Sequence, residues 1–241
     1  MVNVFRAVTV VAILALAGSS ASAATIFFGE DLVPGAGVPA GGNAETARKA
    51  FLAGLVGVGS ENFESFVAGT NSNGLALSFP GSSGAITATL MDPSGSSFIS
   101  NNPGAGRFAT SGSQFLQEVS NGFALNFSAP VAAFGFYGTD IGDFNGNVTI
   151  QLSNGGVENY VVNNTLQGPN GSLLFWGIIA GAGETFTSAA FGNTAQGTDF
   201  FGFDDLVIGD LGQVVPVPEP TSLVLLGAGL AVGLRRRKNG R

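Results

Sequence analysis

The sequence predicts an all-β domain, an antiparallel β-sandwich or jelly roll with a short N-terminal helix. An N-terminal signal peptide precedes it and a C-terminal hydrophobic helix follows it. Three observations predict this. The 241 residues include 38 glycines and only 10% charged residues, which suits a chain with many reversals, because glycine reaches φ > 0 where strands turn. From Phe63 onward, short runs rich in Val, Ile, Phe and Thr alternate with Gly/Asn/Ser/Pro clusters, and no long helical periodicity separates them. The 21 phenylalanines supply apolar surface that offsets chain entropy once buried, which argues against disorder.

Residues 1–23 read as a secretory signal peptide: Arg6 is its basic start, Ala7–Ala17 its apolar stretch, and Ala21-Ser22-Ala23 its small-residue cleavage site. Residues 24–62 form a lead-in containing one short helix. Asn43 is placed to N-cap a helix over Ala44–Leu55, with Glu45 in the first turn, where the helix dipole favours an anion. Ala47, Phe51, Leu52 and Leu55 recur at helical spacing and give it one face to pack on the sheet. No regular element is evident in Ala24–Gly42.

Residues 63–212 carry the strands. The candidates are Leu75–Phe79, Ala85–Leu90, Phe115–Val119, Ala124–Phe127 and Ala132–Tyr137. Asn147–Leu152, Val157–Val162, Leu173–Ile179, Thr185–Phe191 and Phe203–Ile208 follow. Val148-Thr149-Ile150-Gln151-Leu152 alternates cleanly, and Asn154-Gly155-Gly156 signals a hairpin to the next strand. Leu173–Ile179 is continuously apolar, as a strand buried on both faces would be, so Trp176 is expected in the core rather than on a sugar-stacking platform with Tyr137 and Tyr160. Gly135 and Gly138 are expected to mark bends. No internal repeat is visible, which argues against a propeller or solenoid.

Charge and composition narrow the function. Between Ala24 and Pro218 only Arg48, Lys49 and Arg107 face every acidic residue except Glu219. Such an anionic surface disfavours a nucleic-acid partner, because phosphate binding needs cationic side chains. With no cysteine and no histidine there is no disulfide, thiol nucleophile, Cys/His zinc site or histidine base.

Residues 213–241 form a three-part tail. Pro218-Glu219-Pro220 comes first, then the apolar run Thr221–Leu234, then Arg235-Arg236-Arg237-Lys238. An apolar run of about 14 residues reaches roughly 21 Å as a helix, short of the ~30 Å hydrocarbon core. It makes a marginal, temporary stop-transfer segment, with the basic cluster left inside.

This pattern resembles the PEP-CTERM sorting signal of Gram-negative bacteria. The resemblance implies sorting residues Pro218, Glu219, Pro220, Arg235, Arg236 and Arg237. It implies signal peptidase and exosortase as export partners, with helix and basic tail removed during processing. It also implies a cell-surface or extracellular-matrix location, in association with extracellular polysaccharide and biofilm. An ordinary tail anchor is the alternative.

The helix at Ala44–Leu55, Asn62–Phe66, the Phe-Gly-Phe-Tyr-Gly strand at 134–138 and the closing Phe201–Leu206 resemble, more loosely, the ectodomains joined to such signals. By similarity to jelly-roll carbohydrate-binding modules, Glu64 and Asp204 are candidate ligands of a structural Ca²⁺. Neighbouring strand side chains face opposite ways, so one of Asp204 and Asp205 is expected at that site. Solvated acidic residues at strand ends are the alternative. Asp140, Asp143 and Asn145 form a possible second cation loop, although the glycine and final glutamate of an EF-hand are missing, and a plain turn explains it as well. No nucleophile motif or phosphate loop stands out. A structural or glycan-contacting module without enzymatic activity is therefore expected, with a secreted glycan hydrolase or a permanently anchored structural protein as alternatives.

Overall fold

Alternating apolar positions close two antiparallel sheets over a shared phenylalanine-rich core. The computed structural model describes residues 23–32, 37–119, 122–141, 147–153, 156–162, 172–193 and 199–216. Residues 1–22 and the sorting residues Pro218, Glu219, Pro220, Arg235, Arg236 and Arg237 lie outside these, as do Asp143, Asn145, Asn154 and Gly155.

In chain order the elements begin with β1 (Thr25–Leu32), α1 (Asn43–Ala53), β2 (Ser60–Glu61), β3 (Ala76–Phe79), β4 (Ile86–Met91) and β5 (Phe98–Ser100). Next come β6 (Phe115–Val119), β7 (Ala124–Val131), β8 (Ala133–Thr139), β9 (Val148–Ser153) and β10 (Val157–Val162). The last are β11 (Ser172–Ile179), β12 (Phe186–Asn193), β13 (Phe200–Gly209) and a 3₁₀ turn at Leu211–Gln213. The larger sheet runs β1-β11-β8-β13-β6-β5, with β2 also paired to β13; the smaller runs β10-β9-β12-β7-β4-β3. The expected hairpin pairing of β9 with β10 is present, Val157 standing opposite Ser153.

Between the sheets Leu77, Leu90, Leu116, Phe136, Trp176 and Phe203 are buried in one cluster. The larger sheet is covered on its other face too. There α1 buries Ala44, Ala47 and Phe51 against Tyr137, Leu173 and Phe175. This double cover is why every residue of β8 is buried, and all of β11 except Ile179. Trp176 is a core residue, as expected. Tyr160 packs at 6.0 Å from its ring, whereas Tyr137 lies across the sheet against Phe175.

Two glycines fit the helix to the sheet. Gly177 and Gly135 are cross-strand partners. A Cβ on Gly177 would lie 2.9 Å from the Phe51 ring, and one on Gly135 would lie 3.0 Å from it. The pair forms a socket for Phe51. Gly135 and Gly138 both lie inside the continuous strand β8 rather than at its ends, and a Cβ on Gly138 would lie 2.5 Å from Ile141.

Three further details depart from the sequence reading. A strand, β1, occupies part of the lead-in and pairs in register with β11. The helix starts at Asn43, capped from β1 rather than by Asn43: the Asp31 carboxylate accepts the Asn43 and Ala44 amides at 2.9 Å each. The domain also runs past residue 212, since Val214 bridges Leu55 and the Val215 amide donates to Gly54 O at 2.9 Å. No helix among the described residues is long and apolar enough to cross a membrane.

Candidate functional site

The acidic residues singled out from the sequence converge on one loop. The Asp204 side chain, only 1% exposed, accepts the Thr110 amide at 2.6 Å, the Thr110 hydroxyl at 2.9 Å and the Ser111 amide at 3.1 Å. Asp205 accepts the Thr110 and Ser111 hydroxyls, at 3.0 Å each. Strand alternation predicts that only one of the two aspartates reaches the site, and the structure overturns this. Register against β8 shifts between Asp204 and Val207, and Asp205 adopts φ 50, so the bulge turns both carboxylates toward Thr110.

Glu64 holds the far end of the same loop. It accepts the amides of Ser113 and Gln114 at 2.6 Å each, while Gln114 Nε2 donates back to the Phe63 and Phe66 carbonyls at 3.2 and 3.1 Å. Between the two attachments Gly112 has φ +65, and a Cβ there would lie 2.5 Å from Glu64. Asp204 and Asp205 therefore latch one end of Thr110–Gln114 onto the larger sheet, and Glu64, in the turn after β2, holds the other end. The oxygens expected to ligate calcium accept N–H and O–H donors of this loop. No group of three or more Asp or Glu among the described residues is arranged to hold a metal ion.

Environment separates Glu64 and Asp204 electrostatically. Amide donation from Ser113 holds Glu64 below the usual carboxylate range. Burial, then the neighbouring charge of Asp205, pushes Asp204 up to about 7. Asp140, from the second candidate constellation, lies 3.0 Å from Arg107 Nη1, and Asp143 and Asn145 are outside the described residues.

The latched loop forms one wall of a cleft. Helix α1 forms the other, and β8 lies beneath. The cavity measures ≈ 230 Å³ and is lined by Val38, Glu45, Arg48, Lys49, Thr110, Ser111, Tyr137 and Asp205. The Arg48 guanidinium lies 5.6 Å from the Tyr137 ring centre and donates to Ser60 Oγ at 2.9 Å. Lys49 pairs with Glu45 at 2.8 Å, and that contact is the first cause of the lowered Glu45 pKa. Burial raises the Tyr137 phenol to about 12, so it stays protonated. Sequence reasoning gave α1 only a face to pack on the sheet and missed this cleft. Its available signal was that two of the three basic residues between Ala24 and Pro218 are adjacent in that helix.

Fold and site together define a β-sandwich domain with a polar cleft between a surface helix and a latched loop. Directly after it, residues 216–238 match the PEP-CTERM protein-sorting motif. That motif implies an exported chain, transiently anchored in a membrane and processed by an exosortase. Comparison with curated proteins gives no match. Among solved structures, the chain is similar to the K2 cleaved adhesin domain of Lys-gingipain, at 16% identity, covering 63% of this chain and 97% of that one, with TM-score 0.40. It is also similar to TmCBM61, solved in complex with β-1,4-galactotriose, at 13% identity over 50% of this chain and 86% of that one, with TM-score 0.31. Neither likeness is close enough to speak to ligand or activity.

Proposed function

We propose that the sandwich is a non-enzymatic, glycan-contacting module of a protein delivered to the surface or extracellular matrix of a Gram-negative bacterium. The observation that carries this reading is the cleft. In a strongly anionic domain, Arg48 and Lys49 stand beside Glu45, Asp205 and the hydroxyls of Thr110, Ser111 and Tyr137 around one cavity. Sugar hydroxyls both donate and accept, so interleaved guanidinium, ammonium, carboxylate and hydroxyl groups suit them. A volume of ≈ 230 Å³ lies below the ~300 Å³ lower limit of common ligand pockets, so the cleft would take a chain end or a side branch of an exopolysaccharide.

Hydrolysis is the less favoured reading. A general acid needs a raised pKa and an open path to the glycosidic oxygen. Glu45, which lines the cleft, has a lowered pKa, and Asp204, which has a raised one, is buried behind Thr110.

A glycan array and an exopolysaccharide pull-down with the exported protein test the proposal. Retention should fall about tenfold in Arg48→Ala, the loss of one charge-assisted hydrogen bond. Equal retention by the variant, or none by the wild type, would count against it, and release of new reducing ends would favour the hydrolase. Mass spectrometry of the mature C-terminus tests processing: loss of Arg235–Arg241 is expected, and an intact tail would indicate permanent anchoring.

A further inference from the structure

At one end of the sandwich the inward-facing positions stop being apolar. Along β4 the core side chains are Ile86, Ala88 and Leu90, and Asp92 continues the alternation just past the strand, 1% exposed. On the facing sheet Ile99 of β5 stands opposite Leu116 of β6. One inward position further along are Ser97, just before β5, and Glu118 of β6, 0% and 2% exposed. Two carboxylates and a hydroxyl from both sheets are thus gathered at one end of the core.

Their polar atoms are unevenly satisfied. Asp92 accepts the Ser94 amide at 2.9 Å, the Ser94 hydroxyl at 2.6 Å and the Ser97 amide at 2.8 Å. Both Glu118 oxygens and Ser97 Oγ are buried without a well-formed hydrogen bond, the Ser97 hydroxyl lying beside the Glu118 and Asp92 carboxylates. A buried carboxylate without a partner is costly, and a second one nearby makes it costlier. The domain's own cations are engaged elsewhere: Arg48 at Ser60 and Tyr137, Lys49 at Glu45, Arg107 at Asp140.

We infer that Asp92, Ser97 and Glu118 form a cation site between the two sheets, and that its occupant is Ca²⁺. The donor set is all hard oxygen, and a chain lacking histidine and cysteine offers nothing to a softer metal. Ca²⁺ accepts irregular arrangements of six to eight oxygens and completes its shell with main-chain carbonyls and water, whereas Mg²⁺ demands near-octahedral geometry. A bound ion neutralises Glu118 and ties the turn after β4 to the β5–β6 pair. This site is separate from Glu64 and Asp204, whose oxygens hold the Thr110–Gln114 loop.

The test uses the exported protein, stripped with chelator and melted at pH 7 with CaCl₂ or MgCl₂, alongside calorimetric titration with Ca²⁺. Calcium is expected to raise Tm by several degrees, saturably, and magnesium by much less. Glu118→Gln should abolish the calcium response. Glu64→Gln should keep it. Ser97→Ala, which removes one neutral oxygen ligand and keeps both carboxylates, should shift the calcium midpoint about tenfold upward. The inference is overturned if wild type shows no calcium response, if Glu118→Gln retains it, or if Glu64→Gln removes it. Stabilisation by acid alone, with no calcium response, also overturns it and leaves a proton as the neutralising species.

Discussion

Removing Phe51 tests how helix α1, and with it one wall of the cleft, is held on the sheet. The side chain is 0% exposed and packs between Phe27 and Phe175, at ring separations of 5.7 and 5.5 Å. Truncating so buried an aromatic forfeits transfer energy and leaves a cavity, so Phe51→Ala should cost about 3–5 kcal/mol. The edge-on pairing with Phe27 accounts for about 0.5–1.5 kcal/mol of that. The Gly135–Gly177 socket supplies an internal control. In the wild type, Gly177→Ala sets a methyl 2.9 Å from the Phe51 ring and should cost about 1–3 kcal/mol by overpacking. In the Phe51→Ala background the same methyl enters vacated space, and Phe175 is free to yield, so most of that cost should vanish. The double-mutant cycle should therefore show coupling of about 1–3 kcal/mol. Urea unfolding followed by fluorescence of Trp176, the single tryptophan and 2% exposed, reads all four proteins. Strictly additive costs, or a loss below about 1.5 kcal/mol in Phe51→Ala, would refute the socket.

Other expectations concern the latch and the buried acids. Asp204 and Glu118 have folded pKa values raised to about 7 and about 8, so the native state keeps protons that the unfolded chain has released. Their contribution is fully present below about pH 4 and is lost as pH rises through 7 and 8, by at most about 1.4 kcal/mol per pH unit per group. In chelator, urea midpoints should fall between about pH 5 and pH 8, and Asp204→Asn should flatten the lower part of that slope; a flat or rising wild-type profile would contradict the assignment. Gly112→Ala forces a Cβ into Glu64 at φ +65 and should destabilise by about 1 kcal/mol or more, read as a lower urea midpoint. Glu64→Gln should speed proteolytic cleavage within residues 110–114 while leaving the melting of the core nearly unchanged.

How legible each part was depended on the range of the interaction behind it. Strands such as Val157–Val162 and Phe115–Val119 were readable to the residue because their patterns are local. β1 was not, because it runs against the usual pattern: Ile26, Phe28 and Leu32 are exposed while Glu30 is buried, and its pairing with β11 comes from far along the chain. β2 and β5 are too short to carry a period. The helix was readable, but its cap was not, since Asp31 reaches it from another element. Glu64 and Asp204 were legible as a related pair, but their target, a loop of Thr, Ser and Gly, carries no distinctive pattern. The bulge that brings Asp205 alongside Asp204 arises from pairing with β8, and two adjacent aspartates do not announce it.

The place of β13 constrains the order of events during export. It is the final strand of the sandwich, yet it is laid between β8 and β6 in the middle of the larger sheet, so the flanking staves lack their shared neighbour until it is added. The sheet cannot be completed while the stretch ending at Gly209 is still missing, and such sequence-distant pairing is intrinsically slow. A chain threaded out N-terminus first would therefore lock this sheet only at the end of its passage. By then only residues 210–215 separate the finished sheet from the start of the sorting motif at residue 216.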